Sequence, residues 1–197
     1  MKKIILILAT VTSIQLIQTS PVIQDRVLGN ANWGTHQTPL ITAVMNTEGP
    51  VLEMGCGDFS TPLLHAICTV NQRTLVSSDA DKEWLTLFLD LETSWHHFIY
   101  VPVFENTQKP QENKWNQIGN NTHWSIVFID HSPGTRRAAD IKRLRSHTDI
   151  FVVHDTEKAY KDYRPVLASF KYKFVYKRYK KQTTVVSDTI DVATFFK

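Results

Sequence analysis

The chain has 197 residues, long enough for one domain to bury roughly 70% of its extended surface. Hydrophobic residues make up 42% and charged residues 21%, with few glycines and prolines, which excludes collagen-like and proline-rich disordered classes. Two cysteines cannot build a disulfide scaffold or a cysteine-based zinc site, and a net charge of +3 does not by itself argue for a nucleic-acid partner.

Lys2 and Lys3 precede the apolar run Ile4 to Ala9, and no further charge appears before Asp25. A positive start followed by a short apolar run is the form of a secretory signal or a weak membrane anchor. Thr10, Thr12, Ser13, Gln15 and Gln18 interrupt the second half, and no small-residue cleavage pattern precedes Pro21. Residues 1–24 therefore read as a signal-like or anchor-like segment, with a short buried N-terminal element as the alternative, and residues 25–197 as one domain. The segment places the protein at a membrane or in the secretory pathway; if it is part of the fold, the compartment is the cytoplasm.

An irregular stretch over 22–36 leads to a helix over Thr38–Asn46, which Thr38 is placed to cap. Val51–Glu53 reads as a short strand, and Gly55-Cys56-Gly57 as the turn after it. A helix follows, capped by Ser60 or Thr61, with Pro62 in its first turn, where a missing N–H costs nothing. Thr74–Ser78 is a second strand and Asp81–Leu91 a second amphipathic helix. Phe98–Val103 is a third strand, 104–122 a polar loop and Trp124–Ile129 a buried strand ending at Asp130. A helix over Arg136–Leu144, a buried strand over Ile150–Val153 and a helix over Ala159–Phe170 follow. Two β-rich runs, Lys173–Tyr179 and Thr183–Ser187, close the chain as a hairpin through Lys180-Lys181-Gln182.

Strands alternating with helices predict an α/β fold, a mostly parallel sheet with helices on both faces. Such sheets bind ligands beyond the carboxyl ends of their strands. Glu53, Asp79, Asp130, His154 and Asp155 are the polar residues at those ends. The glycines of Glu53-Met54-Gly55-Cys56-Gly57 let the backbone turn sharply and approach a ligand closely. Ser60 stands where a dinucleotide fingerprint has its third glycine, which disfavours a nicotinamide-dependent oxidoreductase.

Glu53-x-Gly55-x-Gly57 after one strand, with Asp79 after the next, resembles the class I S-adenosylmethionine-dependent methyltransferases. The stretches Val76 to Trp84, Trp124 to Asp130 with Arg136-Arg137, and Val152 to Thr156 resemble the branch that methylates hydroxyls of sugars and other small molecules. The resemblance spans about residues 35–190 and implies a single Rossmann-like domain: a seven-stranded sheet closed by an antiparallel hairpin. It also implies S-adenosylmethionine as cofactor. Gly55, Cys56 and Gly57 would lie under its methionine end, Glu53 beside the amino-acid part, Asp79 on the ribose and Ala80 against the adenine, with Ser60 a further cofactor contact.

Methyl transfer needs an acceptor aligned with the methyl group and, for a hydroxyl, a base within hydrogen-bond reach. Asp130, His131, His154 and Asp155 follow two strands expected to be neighbours, so these four are the candidate catalytic residues. Alternatively, Asp130 and Asp155 share a hard divalent cation, as at the strand end of catechol-type O-methyltransferases, which Phe128-Ile129-Asp130-His131 resembles. Those enzymes carry an Asp-Asn pair where this chain has Asp155-Thr156, which disfavours the metal. Arg136 and Arg137 follow the same strand and are candidates to clamp an acidic group on the acceptor; His36 is a further acceptor-side candidate. His65, His96, His97 and His147 read as surface or helix-face residues.

The charge is uneven. Through Asp130 the chain carries 7 Lys+Arg and 12 Asp+Glu (−5); from His131 it carries 15 and 7 (+8). The basic half suits an acidic saccharide acceptor, with nucleic acid disfavoured and membrane contact confined to the N-terminal segment. Lysines on an edge hairpin also keep sheets from pairing edge to edge, and that reading competes. A catalytically inactive methyltransferase-like protein that binds an acidic partner is the alternative function.

Overall fold

The computed structural model describes residues 31–102, 114–157 and 163–197. The signal-like segment, its boundary at residue 25 and most of the 104–122 loop lie outside the described residues. Among the described residues no helix is long and apolar enough to cross a membrane.

The elements are α1 (Gln37–Met45), β1 (Val51–Met54), α2 (Thr61–Val70), β2 (Leu75–Asp79), α3 (Lys82–Thr86) and β3 (His96–Tyr100). After them come β4 (Trp124–Ile129), α4 (Arg137–Leu144), β5 (Thr148–His154), α5 (Tyr163–Ala168), β6 (Tyr172–Tyr176) and β7 (Thr183–Ser187). The seven strands form one sheet in the order β3-β2-β1-β4-β5-β7-β6. The first five run parallel, and β7 inserts antiparallel between β5 and β6. This is the expected α/β architecture, closing hairpin included.

The central strands are buried on both faces, so they read as continuous apolar runs rather than alternating ones. Successive side chains still go to opposite sides. Leu52, Met54, Val127, Ile129, Phe151 and Val153 pack with Trp115, Ile141, Leu144 and Leu167 on one face. Val51, Ile126, Phe128, Ile150 and Val152 pack with Leu40, Val44 and Leu64 on the other. That alternation aims the polar strand ends. Glu53, Asp130 and His154 continue the α1/α2 face, whereas His131 continues the α4 face.

Several boundaries move. Residues 81–91 give only the five-residue α3 and a separate 3-10 turn, Leu89–Leu91, because the chain breaks at Leu87 and Phe88. β3 starts at His96, two residues before its apolar run, since it takes its register from β2 with Leu75 opposite His96. Thr38 lies inside α1; His36 holds the cap position and makes no side-chain cap bond. Asp81 caps α3 instead, accepting from the Trp84 N–H at 3.0 Å.

Candidate active site

The strand order reverses between β1 and β4, and a crevice opens where the two connections part. Gly55 sits at this point with φ +98°, and a Cβ there would lie 2.5 Å from the His131 nitrogen and 2.6 Å from the Asp130 carbonyl carbon. Only glycine lets the β1 turn cross the end of β4 so closely. The crevice holds about 670 Å³ and is lined by Gly55, Cys56, Asp79, Ala80, Trp84 and Asp130, among others. Asp81 and Glu83 also face it, against one lysine, Lys82, so its wall is acidic.

The first turn is held by its neighbours. Asp79 accepts from the Cys56 N–H at 2.8 Å through one oxygen and from the Asp81 N–H at 2.8 Å through the other. Burial raises the pKa of Asp79 despite those bonds. A carboxylate has about four acceptor positions, and the backbone around Asp79 does not fill them all. The Trp84 indole N–H donates to the Cys56 carbonyl at 2.8 Å and fixes that aromatic wall of the crevice. The Cys56 thiol is buried and pushed well up in pKa by desolvation, so it is not a nucleophile.

Glu53 is fully buried and does not line the crevice. One oxygen accepts from Thr61 Oγ1 at 3.1 Å and the other from Ser77 Oγ at 2.6 Å. Burial, working against hydrogen bonds from Ser60, Ser77 and Thr61, lifts its pKa from 4.5 to about 7. Thr61 Oγ1 in turn accepts from the Gly57 N–H at 2.9 Å, so Glu53 acts on the turn through Thr61. Ser77 Oγ also lies 3.0 Å from His96 Nε2, and His96 Nδ1 lies 3.0 Å from His65 Nδ1. His96 is thus a fully buried strand residue, not a surface one. Its pKa falls to about 3, chiefly by burial.

At the ends of β4 and β5, His154 Nδ1 lies 3.0 Å from Asp130 Oδ2, and His154 Nε2 lies 3.0 Å from Thr35 Oγ1. Burial works against the Asp130 charge, but the His154 hydrogen bond and the Arg137 guanidinium outweigh it and hold the carboxyl below its usual range. The Asp130 side chain is 25% exposed and reaches the crevice, while that of His154 is 5% exposed behind it. His36 packs against both, its ring 4.7 Å from that of His154 and 4.8 Å from that of Phe128. Burial and the neighbouring His154 lower its pKa to about 4, so it is neutral at pH 7.

The other candidates are placed differently. His131 turns to the opposite face, where Nε2 meets Asp140 Oδ2 at 3.0 Å and the ring packs, tilted by 41°, against Trp115. Burial lowers its pKa. Arg137 turns inward, donating to the backbone carbonyls of His131, His154 and Asp130 and pairing with Asp130 Oδ1 at 2.9 Å. Arg136 pairs with Asp140 and bonds Asn116. The arginines therefore brace the β4 end and offer no open clamp for an acceptor. Asp155 pairs with Lys181 Nζ at 2.9 Å. It does not join Asp130 in a cation site: the group of potential ligands that converges among the described residues is His36, Asp130 and His154.

No protein-family model matches the chain, and no curated protein does. Solved structures match across most of its length. An O-methyltransferase from Bacillus cereus in complex with S-adenosylhomocysteine aligns with a TM-score of 0.55, covering 88% of this chain and 93% of that one at 10% identity. CalS11, a TDP-rhamnose 3'-O-methyltransferase, aligns with a TM-score of 0.55 over 79% of this chain and 78% of its own, also at 10% identity. M. capricolum TrmK, solved with S-adenosylhomocysteine, gives 0.51 over 77% and 68%, again at 10% identity. The protein has the class I methyltransferase fold. Gly55, Cys56 and Asp79, from the ends of β1 and β2, face one crevice.

Proposed function

We infer that the protein is an S-adenosylmethionine-dependent methyltransferase that acts on a hydroxyl of a saccharide or another small polar acceptor. The observation that carries this reading is the acidic crevice at the sheet's switch point, which runs from Asp79 to an Asp130 already hydrogen-bonded to His154. The cofactor supplies an electrophilic methyl on a sulfonium. The acidic wall suits that positive charge. The free acceptor positions of Asp79 suit a pair of ribose hydroxyls, and Ala80 with Trp84 offers an apolar surface for a base.

The acceptor lies at the Asp130 end. Asp130 and His154 are the groups that make its hydroxyl nucleophilic, and Arg137 holds Asp130 ionised and in place. Burial of the cluster excludes water from the transfer. Gly55, Cys56 and Gly57 provide the close backbone approach, and Glu53 stabilises that turn from beneath through Thr61.

Calorimetry with S-adenosylhomocysteine tests the reading. The protein binds it, and Asp79→Ala loses at least tenfold in affinity while keeping its fold; no binding by the parent protein refutes the proposal. A second reading has one observation behind it: Arg164, Lys173 and Lys177 line a groove of about 370 Å³ with Glu157 as its acid. That suits an acidic partner of a catalytically inactive protein. Retention on heparin at physiological salt, with cofactor bound and no hydroxyl compound methylated, favours it.

A further inference from the structure

His36 is 97% buried (3% exposed), yet neither of its ring nitrogens has a hydrogen-bond partner. A buried, unsatisfied polar atom costs about 1–3 kcal/mol. Packing does not explain the choice, because a phenyl ring would make the same contact with Phe128 without that cost. The neutral imidazole is an unused lone-pair donor beside His154 and Asp130. One ligand atom from each of the three residues falls within 4.8 Å of the others. The geometry points to a site for a borderline divalent cation of the zinc class, held by His36, Asp130 and His154.

The donor set selects the metal. Two imidazoles and one carboxylate suit zinc or the neighbouring first-row ions, whereas magnesium and calcium prefer all-oxygen sites. Bonds of about 2.0–2.1 Å at tetrahedral angles put ligand atoms about 3.3 Å apart. His154 Nδ1 and Asp130 Oδ2 already stand at 3.0 Å, close to the tetrahedral edge, so a cation that replaces their shared hydrogen and sits about 1.4 Å to the side of the line between them reaches both. The widest spacing exceeds the tetrahedral edge by at most about 1.5 Å, so the three side chains draw together by no more than that on binding.

The outer contacts fit as well. Metal-binding histidines usually donate their second ring N–H to an oxygen. With Nδ1 on the metal, His154 carries its hydrogen on Nε2, where Thr35 Oγ1 accepts at 3.0 Å. Arg137 holds the remaining oxygen of Asp130 at 2.9 Å. Three protein ligands leave a fourth position for a small molecule, as in catalytic rather than structural zinc sites. Asp130 is the ligand that reaches the crevice, so that position faces the acceptor end. A role of the cation in transfer rests on the methyltransferase reading; its binding does not.

The test uses the full chain, stripped with a chelator and titrated with Zn²⁺ by calorimetry and with Co²⁺ by visible absorption. One ion binds per chain, and Co²⁺ develops d–d bands of a low-coordinate site. His36→Ala weakens binding at least 100-fold, and Thr35→Val weakens it about tenfold. His123→Ala, at an exposed pair with Asp149, leaves binding unchanged. His36→Phe keeps the ring volume and serves as the second variant if His36→Ala melts early. Zinc binding that survives both His36 variants overturns the site, as does magnesium binding of equal strength. A protein that binds S-adenosylhomocysteine but not zinc refutes the cation alone; one that binds zinc but not S-adenosylhomocysteine refutes the methyltransferase reading alone.

Discussion

Two polar clusters sit on the same face of the sheet and are built on opposite principles. Under the β1 turn, both oxygens of Glu53 are hydrogen-bonded, and the chain of contacts runs on through Ser77 and His96 to His65. At the ends of β4 and β5, Asp130 and His154 are paired, but His36 beside them is buried with both ring nitrogens unpaired. The first cluster shapes backbone, because Thr61 ties it to Gly57. The second keeps unspent bonding capacity next to a crevice. Buried polar groups that are fully bonded specify structure; a buried imidazole left unbonded beside a crevice calls for a reason.

The bond that most firmly separates the clusters is Arg137. It pairs with Asp130 and donates to three carbonyls at the ends of β4 and β5. Arg137→Ala leaves a largely desolvated carboxylate without its cation, and a loss of about 3–5 kcal/mol is expected in urea unfolding. A loss below about 1 kcal/mol would mean that water already solvates this cluster, and the contrast with Glu53 would collapse.

Glu53 gives the next largest effect, and its sign is diagnostic. Its folded pKa of about 7 stands above the unfolded 4.5. The folded chain therefore holds more protons between those values, so stability falls as pH rises. The contribution is fully present below pH 4.5 and lost as pH passes about 7. The shift corresponds to on the order of 3 kcal/mol. Buried His36 and His96, kept neutral in the fold, raise stability over the same pH range, so the check is a difference: in urea unfolding between pH 5 and pH 8 the parent protein should lose about 3 kcal/mol relative to Glu53→Gln, which cannot ionise. An equal pH slope in both would show that Glu53 is solvated.

The sequence made the sheet legible because parallel strands are apolar throughout and their polar ends stand out. Glu53, Asp79, Asp130 and His154 stand out as such ends. What those ends touch was not legible, because the partners are remote: Ser77 lies 24 residues from Glu53, and Thr35 lies 119 from His154. The inward turn of Arg137 is not legible either, because it depends on which carbonyls β4 and β5 leave bare. The burial of His96 is not legible because Trp95-His96-His97 lacks an apolar pattern, and pairing with β2 draws it into the sheet. His36 carried a local signal only as a residue before a helix. Its unpaired nitrogens are a tertiary fact.

The smallest expected effect is the most discriminating. In chelator-treated protein, His36→Phe replaces a ring with two unpaired buried nitrogens by one of similar size and no polar atoms. The contacts with Phe128 and His154 survive, and the desolvation cost disappears, so stability should rise by about 1 kcal/mol. The matching change in the other cluster, Ser77→Ala, should run the opposite way. It removes the donor to Glu53 and the partner of His96, so a loss of about 1–3 kcal/mol is expected. Opposite signs in urea unfolding are the thermodynamic form of the difference between a cluster that is complete and one that is waiting. If His36→Phe destabilises as much as Ser77→Ala, the His36 nitrogens already serve the empty fold, and the two clusters are of one kind.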